Sequence, residues 1–185
     1  YYAVKANPGL EVLSLLRDLG SYFDIASIYE LDKVLSLGVS PDRVSFGNTI
    51  KKARHIGAAY DKGVRLFASD CEADVRNLAS EAPGSQVFFR ILMDAVSSDS
   101  DWPLSRKFGC QPRMLTDLAL LAADLGLEPY GVSFHVGSQQ REISAWDAAI
   151  AQARSLFERL DKQQIQLKAM NMGGGFPADY LVKTN

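Results

Sequence analysis

The apolar residues of this chain follow two periodicities, which alternate along its whole length. Short apolar runs bounded by glycine, proline or asparagine predict β-strands, and apolar residues at every third or fourth position predict helices. A helical stretch follows each of the first six predicted strands. The predicted strands end near the following residues: Val4, Ser27, Asn48, Ser69, Leu92, Val136 and Met172. The chain is therefore expected to be an α/β protein of about seven βα units.

The predicted strands are apolar on both faces, which favours a parallel sheet covered by helices. A doubly wound open sheet would place a glycine-rich phosphate loop in the first βα turn. That turn instead reads Ala6-Asn7-Pro8-Gly9, and the glycine cluster Gly173–Gly175 follows the last strand. We therefore predict a TIM (β/α)8-type barrel. A complete barrel takes about 250 residues, so a chain of 185 residues is expected to be truncated after about seven strands.

The composition narrows the functional classes. The chain is 47% hydrophobic and 23% charged with a net charge of -2, which is typical of globular proteins and offers no basic surface for nucleic acid. No apolar run approaches the roughly 18 residues of a membrane span. Cys71 and Cys110 lack metal-ligand spacing, so neither a metal site nor a disulfide framework is predicted. We expect a cytoplasmic protein without nucleic-acid or membrane partners.

Candidate chemical groups lie where the predicted strands end, and in a parallel barrel these ends open onto one rim. Lys5 ends the first strand. Desolvation there would favour a neutral amine able to form a Schiff base, while a solvent-facing lysine is the ordinary alternative. Asp24 interrupts an apolar strand, where a charge needs a partner. That partner is either a neighbouring backbone group or Arg90, or else a cationic ligand in the rim.

The later strand ends carry groups suited to an aromatic phosphate. His135 can stack on a flat heterocycle, and the Gly137-Ser138 turn behind it offers hydroxyl and amide donors; a structural histidine is the alternative. Gly173–Gly175 can bring backbone N–H groups close to an anion, and the loop after the seventh strand is a usual phosphate site of such barrels. A flexible turn is the alternative there. The long loop Asp94–Gln111 carries adjacent cations, and loops of this length often have a function.

Five motifs occur in the order found in a known family. They are Tyr2-Ala3-Val4-Lys5-Ala6-Asn7, Phe23-Asp24-Ile25-Ala26-Ser27, Ser105-Arg106-Lys107-Phe108-Gly109, Ser133-Phe134-His135-Val136-Gly137-Ser138 and Gly173-Gly174-Gly175-Phe176-Pro177. With these motifs the chain resembles the alanine racemase-like barrel domain of the fold-type III pyridoxal-phosphate decarboxylases, nearest the bacterial ornithine decarboxylases. The resemblance implies that residues 1–185 form the pyridoxal-phosphate-binding barrel, in part, without the family's C-terminal β-domain.

The resemblance implies a role for each matching residue. Lys5 corresponds to the lysine that binds pyridoxal 5'-phosphate covalently, and His135 to the histidine that stacks on its ring. Asp24 corresponds to an acid near the ring. Arg106 is expected to replace the cofactor-contacting arginine of the animal enzymes, as in bacterial members with a similar Trp-Pro-Leu-Ser-Arg-Lys-Phe-Gly run. The phosphate ligands are expected to be Ser138, Gly173, Gly174 and Gly175.

The implied activity is decarboxylation of a basic amino acid, foremost of ornithine to putrescine in polyamine biosynthesis, by a homodimer of the longer protein. Diaminopimelate, lysine, arginine and carboxynorspermidine remain alternative substrates, although Phe134, Val136 and Phe176 favour ornithine over diaminopimelate. A regulatory protein or a pyridoxal-phosphate carrier of the same fold is the non-catalytic alternative. The family's ring-nitrogen acid and proton donor are absent from these residues, so the 185-residue chain alone is expected not to decarboxylate.

Overall fold

The computed structural model describes residues 1–93, 100–102 and 107–179, with the backbone alone for 100–102. It contains nine strands: β1 (Tyr2–Ala3), β2 (Phe23–Ile25), β3 (Val44–Phe46), β4 (Leu66–Ser69), β5 (Gln86–Arg90), β6 (Ser100–Trp102), β7 (Glu128–Ser133), β8 (Ser138–Gln140) and β9 (Ala169–Asn171), all within these described residues. The helices of the same residues are α1 (Leu10–Asp18), α2 (Ile28–Ser36), α3 (Ala53–Asp61), α4 (Glu72–Glu81), α5 (Pro112–Asp124) and α6 (Ser144–Asp161).

Seven of the strands form one parallel sheet in the order β1-β2-β3-β4-β5-β7-β9. Within this sheet, each strand pairs with the sheet strand that follows it in the sequence. The short strands β6 and β8 are not part of it and pair with each other. A helix joins each successive pair of sheet strands. This arrangement confirms the predicted α/β class and the TIM-type barrel truncated after seven strands.

The core lies between the sheet and its helices. Val87, Phe88 and Phe89 are buried at consecutive positions of β5, as expected for a parallel strand covered on both faces. The rings of Phe46 and Phe67, from neighbouring strands, stack with centroids 6.2 Å apart. No helix in the described ranges is long and apolar enough to span a bilayer. The strand-end loops project from this packed sheet.

The bounds of several strands and the structure of the long loop differ from the sequence-based expectation; β7, for example, ends at Ser133 rather than near Val136. β1 ends at Ala3 rather than at Val4, because Val4–Ala6 turns into a short 3-10 helix. The long loop after β5 contributes β6, which pairs antiparallel with β8. Neither short polar strand has the apolar pattern that marks a strand in a sequence. Arg106 lies outside the described residues.

Candidate active site

Lys5 follows β1, and the backbone around it is fixed from both sides. Val4 is fully buried, while the Tyr2 hydroxyl donates to the carbonyl of Asn7 at 3.3 Å. The Asn7 side chain in turn accepts a hydrogen bond from the Gly9 amide at 3.0 Å. The Lys5 side chain itself is exposed, so the expected apolar surroundings are not present. The structure therefore offers an accessible amine on an anchored turn.

Asp24 lies in the middle of β2, between two buried residues, and is itself half-buried. The Ser45 hydroxyl donates to Oδ1 of Asp24 at 2.6 Å. Burial raises the pKa of Asp24, while the Ser45 hydrogen bond and then the charge of Lys5 act to lower it. Arg90, named above as a possible partner, makes no hydrogen bond to Asp24 among the described residues. Burial lowers the pKa of Arg90, and the charges of Asp70 and then Asp24 act to raise it.

His135 follows β7, and its surroundings determine both the tautomer and the protonation state of its imidazole. Nδ1 accepts a hydrogen bond from the Gly137 amide at 3.0 Å, so the proton of the neutral ring is on Nε2. Burial, followed by the positive charges of Arg90 and Lys5, lowers the pKa of His135 to about 4. The ring is therefore uncharged at neutral pH, and its flat face can stack on an aromatic ligand.

The glycine loop follows β9, and all three glycines are left-handed, with φ of 73°, 100° and 90° at Gly173, Gly174 and Gly175. A Cβ at Gly173 would overlap the carbonyl oxygen of Phe134, and one at Gly175 would overlap that of Gly137. The amides of Gly174 and Gly175 have no acceptor within the part of the chain that is described. Two backbone donors are therefore available for an anion.

The glycine loop is held against β8, which begins with Ser138. The Gln140 amide donates to the carbonyl of Gly175 at 2.9 Å. The Gln139 side chain exchanges two hydrogen bonds with the backbone of Ala178, each of 2.9 Å, and Phe176 stacks on Trp146 at 5.2 Å. The Ser138 hydroxyl makes no side-chain hydrogen bond to the described residues. The structure thus brings the predicted phosphate ligands together, beside His135.

Two charged residues of the rim were missed. The Glu30 carboxylate accepts from the Ala26 amide at 2.6 Å, and the Ser27 hydroxyl accepts from the Glu30 amide. The Ser-x-x-Glu spacing of a capping box was the signal for this contact. The side chain of Lys51 is fully buried and pairs with Asp74 at 2.8 Å. No sequence signal marks it, because a lysine just before a helix is ordinarily solvated.

These groups fit pyridoxal phosphate. An accessible amine suits its aldehyde, a neutral imidazole suits its ring, and the amides of Gly174 and Gly175, which lack an acceptor in the described ranges, suit its phosphate. The electrostatic influence of Lys5 on both Asp24 and His135 indicates that these residues face one site. The donor set is thus compatible with the cofactor implied by the resemblance.

Comparisons with known proteins identify the family. The lysine/ornithine decarboxylase of Selenomonas ruminantium is 39% identical over 177 residues, covering 96% of this chain and 44% of that protein. The ornithine decarboxylase of Saccharomyces cerevisiae is 38% identical over 178 residues, and the aligned region covers 95% of this chain and 38% of the yeast protein. The agmatine-bound arginine decarboxylase of Paramecium bursaria Chlorella virus superposes with a TM-score of 0.91 at 31% identity, covering 100% of this chain and 50% of that one.

The chain therefore spans half or less of the length of these relatives. The match to the family model, in contrast, extends over the whole chain, residues 1–185. The seven-stranded parallel sheet agrees with that match. The chain belongs to the pyridoxal-binding domain family of the pyridoxal-dependent decarboxylases.

Proposed function

We propose that the protein carrying this chain decarboxylates a basic amino acid with pyridoxal phosphate, and that ornithine is its first substrate. Residues 1–185 would be the cofactor-binding part of the barrel. The observation that carries the proposal is the neutral His135 beside a glycine loop in which the amides of Gly174 and Gly175 have no acceptor among the described residues, in the same rim as the accessible amine of Lys5. A regulatory protein that had lost the cofactor would have no need of these three cofactor-binding groups. Their presence together favours an enzyme over such a regulatory protein.

Each residue has a distinct task. Bound pyridoxal phosphate supplies the electron sink that stabilises the carbanion left by loss of CO2. Lys5 supplies the amine that holds the cofactor, and His135 supports the ring while remaining uncharged. Ser138 and the amides of Gly174 and Gly175 bind the phosphate, which fixes the orientation of the ring. Asp24 places a carboxylate in the field of the Lys5 ammonium.

The relatives support a basic substrate, since they include lysine/ornithine, ornithine and arginine decarboxylases. The resemblance of the His135 and Phe176 motifs to ornithine decarboxylases supports ornithine, and with it polyamine biosynthesis by a cytoplasmic homodimer. The test is to incubate the full-length protein with ornithine, lysine, arginine and diaminopimelate and to quantify the amines formed. Putrescine should form with the highest kcat/KM. Absence of any amine product from the cofactor-loaded protein would refute the proposal.

The glycine loop provides a test of phosphate binding. Gly175→Ala should weaken binding of pyridoxal phosphate about tenfold or more, because the new Cβ would overlap the Gly137 carbonyl and displace the loop. Gly20→Ala is a matched control, since Gly20 also has a positive φ of 83° but lies in the turn after α1. Both variants are titrated with cofactor while tryptophan fluorescence is followed. Equal affinities for the two variants would show that the loop does not hold the phosphate.

His135 should make the fold sensitive to acid. Its pKa is lowered from 6.5 to about 4, so between these values the unfolded chain binds a proton that the folded chain does not. Stability is therefore fully present above about pH 6.5 and falls as the pH drops toward about 4. Allowing for partial exposure, the loss amounts to about 1–2 kcal/mol.

The measurement is urea unfolding of the cofactor-free protein at a series of pH values. In His135→Gln this part of the acid loss should disappear. In the control variant His55→Gln, which changes the other histidine, it should remain. An unchanged acid profile in His135→Gln would contradict the assignment.

A further inference from the structure

Ser45 is a buried polar residue in a strand that otherwise belongs to the core. It lies between Val44 and Phe46, all three residues of β3 are buried, and Ser45 itself is 2% exposed. A hydroxyl in such a place is unfavourable unless it is hydrogen-bonded. In the parallel register Ser45 lies beside Asp24, and its hydroxyl donates to Oδ1 of Asp24 at 2.6 Å. The hydroxyl is therefore directed at a single acceptor, the carboxylate of Asp24.

Gly47, just after β3, provides the space that this carboxylate occupies. A Cβ at Gly47 would lie 2.6 Å from Cγ of Asp24 and would overlap both carboxylate oxygens. The φ of Gly47 is outside the left-handed region, so its backbone conformation does not require glycine. The Gly47 amide also donates to the carbonyl of Ile25 at 2.9 Å, which holds the turn against β2. The requirement at this position is therefore one of space for Asp24.

We propose that Ser45 is a positioning residue for Asp24, and that its hydroxyl together with the space at Gly47 holds one carboxylate oxygen in the strand layer. Oδ2 of Asp24 accepts no hydrogen bond from the described residues and is left for the groups of the rim. The proposal rests on the proposed function, because Asp24 acts there on the Lys5 amine. Ser45 acts only through Asp24.

The charge of Asp24 depends on this hydrogen bond. Burial raises the pKa of Asp24, and the Ser45 hydroxyl is the largest influence that opposes it. The charged and titratable groups that face Asp24 are those of Lys5 after β1, Glu30 in α2, Arg90 at the end of β5, and the phenol and amino group of Tyr1. Without Ser45, Asp24 would bind a proton at higher pH and lose the charge that acts on Lys5.

The test compares Ser45→Ala and Ser45→Thr with Ser85→Ala in the full-length protein. Ser45→Thr retains the hydroxyl. Ser85 is a fully buried serine whose hydroxyl has no partner in the residues that the structure covers, and it lies just before β5. Two readouts are used. Carbon-13 NMR follows the protonation of Asp24 in cofactor-free protein, and the pH dependence of kcat and KM is measured in the loaded protein.

In Ser45→Ala, the midpoint for Asp24 should move to higher pH, and the acid limb of the kcat profile should move with it. We expect kcat at neutral pH to fall about tenfold with little change in KM, since a hydrogen bond to a charged group is worth about that factor. Ser45→Thr should restore both values, and Ser85→Ala should change neither.

An unchanged Asp24 midpoint in Ser45→Ala would overturn the proposal. A shifted midpoint with an unmoved kcat profile would also overturn it, because Asp24 would then be positioned without consequence for the reaction. Failure of the proposed function itself appears separately, as the absence of amine product from the unsubstituted protein. The NMR readout does not depend on that activity, so the two failures are distinguishable.

Discussion

Replacing Lys5 with alanine is expected to abolish covalent binding of pyridoxal phosphate and to lower decarboxylation by the full-length protein about 10³-fold or more. Among the strand-end residues described, Lys5 offers an exposed amine on a turn that is anchored by the buried Val4 before it and by the hydrogen bonds of Asn7 after it. Its charge acts on both Asp24 and His135. The fold should be unaffected, because the side chain that anchors the turn belongs to Val4.

The attachment point can be identified directly. The cofactor-loaded protein is reduced with borohydride and digested, and mass spectrometry locates the modified lysine. Lys5 should carry the label, the variant Lys5→Ala should carry none, and the exposed Lys162→Ala should be labelled like the unsubstituted protein. Lys5→Arg, which keeps the charge without a reactive amine, should also fail to bind covalently. A label on any other lysine would contradict the assignment of Lys5.

The fold was predictable because each βα unit has a strong local signal. The helix α4, for example, is observed at Glu72–Glu81, where apolar residues recur at the three-to-four-residue spacing that predicts a helix. The strand β1 was predicted one residue too long, because the burial of Val4 looks the same in a strand and in a short 3-10 helix. The pairing of β6 with β8 depends on contacts between distant polar segments, which no local periodicity encodes.

The candidate site also has some features that could be predicted from the sequence and others that could not. Placing His135 and Gly173–Gly175 at strand ends required only the order of the elements. The neutral state of His135 depends on burial and on charges from other strands, and these are visible only when the strands are assembled. The exposure of Lys5 and the hydrogen bond from Ser45 to Asp24 are likewise properties of the assembled rim. The roles of these residues toward the cofactor remain predictions.

Lys51 shows the limit of sequence reasoning most clearly, because its ammonium group is buried inside the rim. Its side chain is 0% exposed and that of Asp74 is 7% exposed. Besides Asp74, Nζ of Lys51 donates to the carbonyls of Ala68 at 2.6 Å and Asn48 at 3.1 Å. The ammonium thus links the ends of β3 and β4 to α4. Burial lowers the pKa of Lys51 and raises that of Asp74, so each charge depends on the other.

Lys51→Met should therefore lower the free energy of unfolding by about 3–5 kcal/mol, since it leaves the Asp74 carboxylate buried without its partner. The double variant Lys51→Met/Asp74→Leu should recover much of this loss, because it removes both buried charges. The control is Glu72→Gln, which breaks the exposed pair with Arg76 and should cost less than about 1 kcal/mol. Urea unfolding followed by circular dichroism measures all three. Equal losses for Lys51→Met and Glu72→Gln would show that the buried pair does not stabilise the rim.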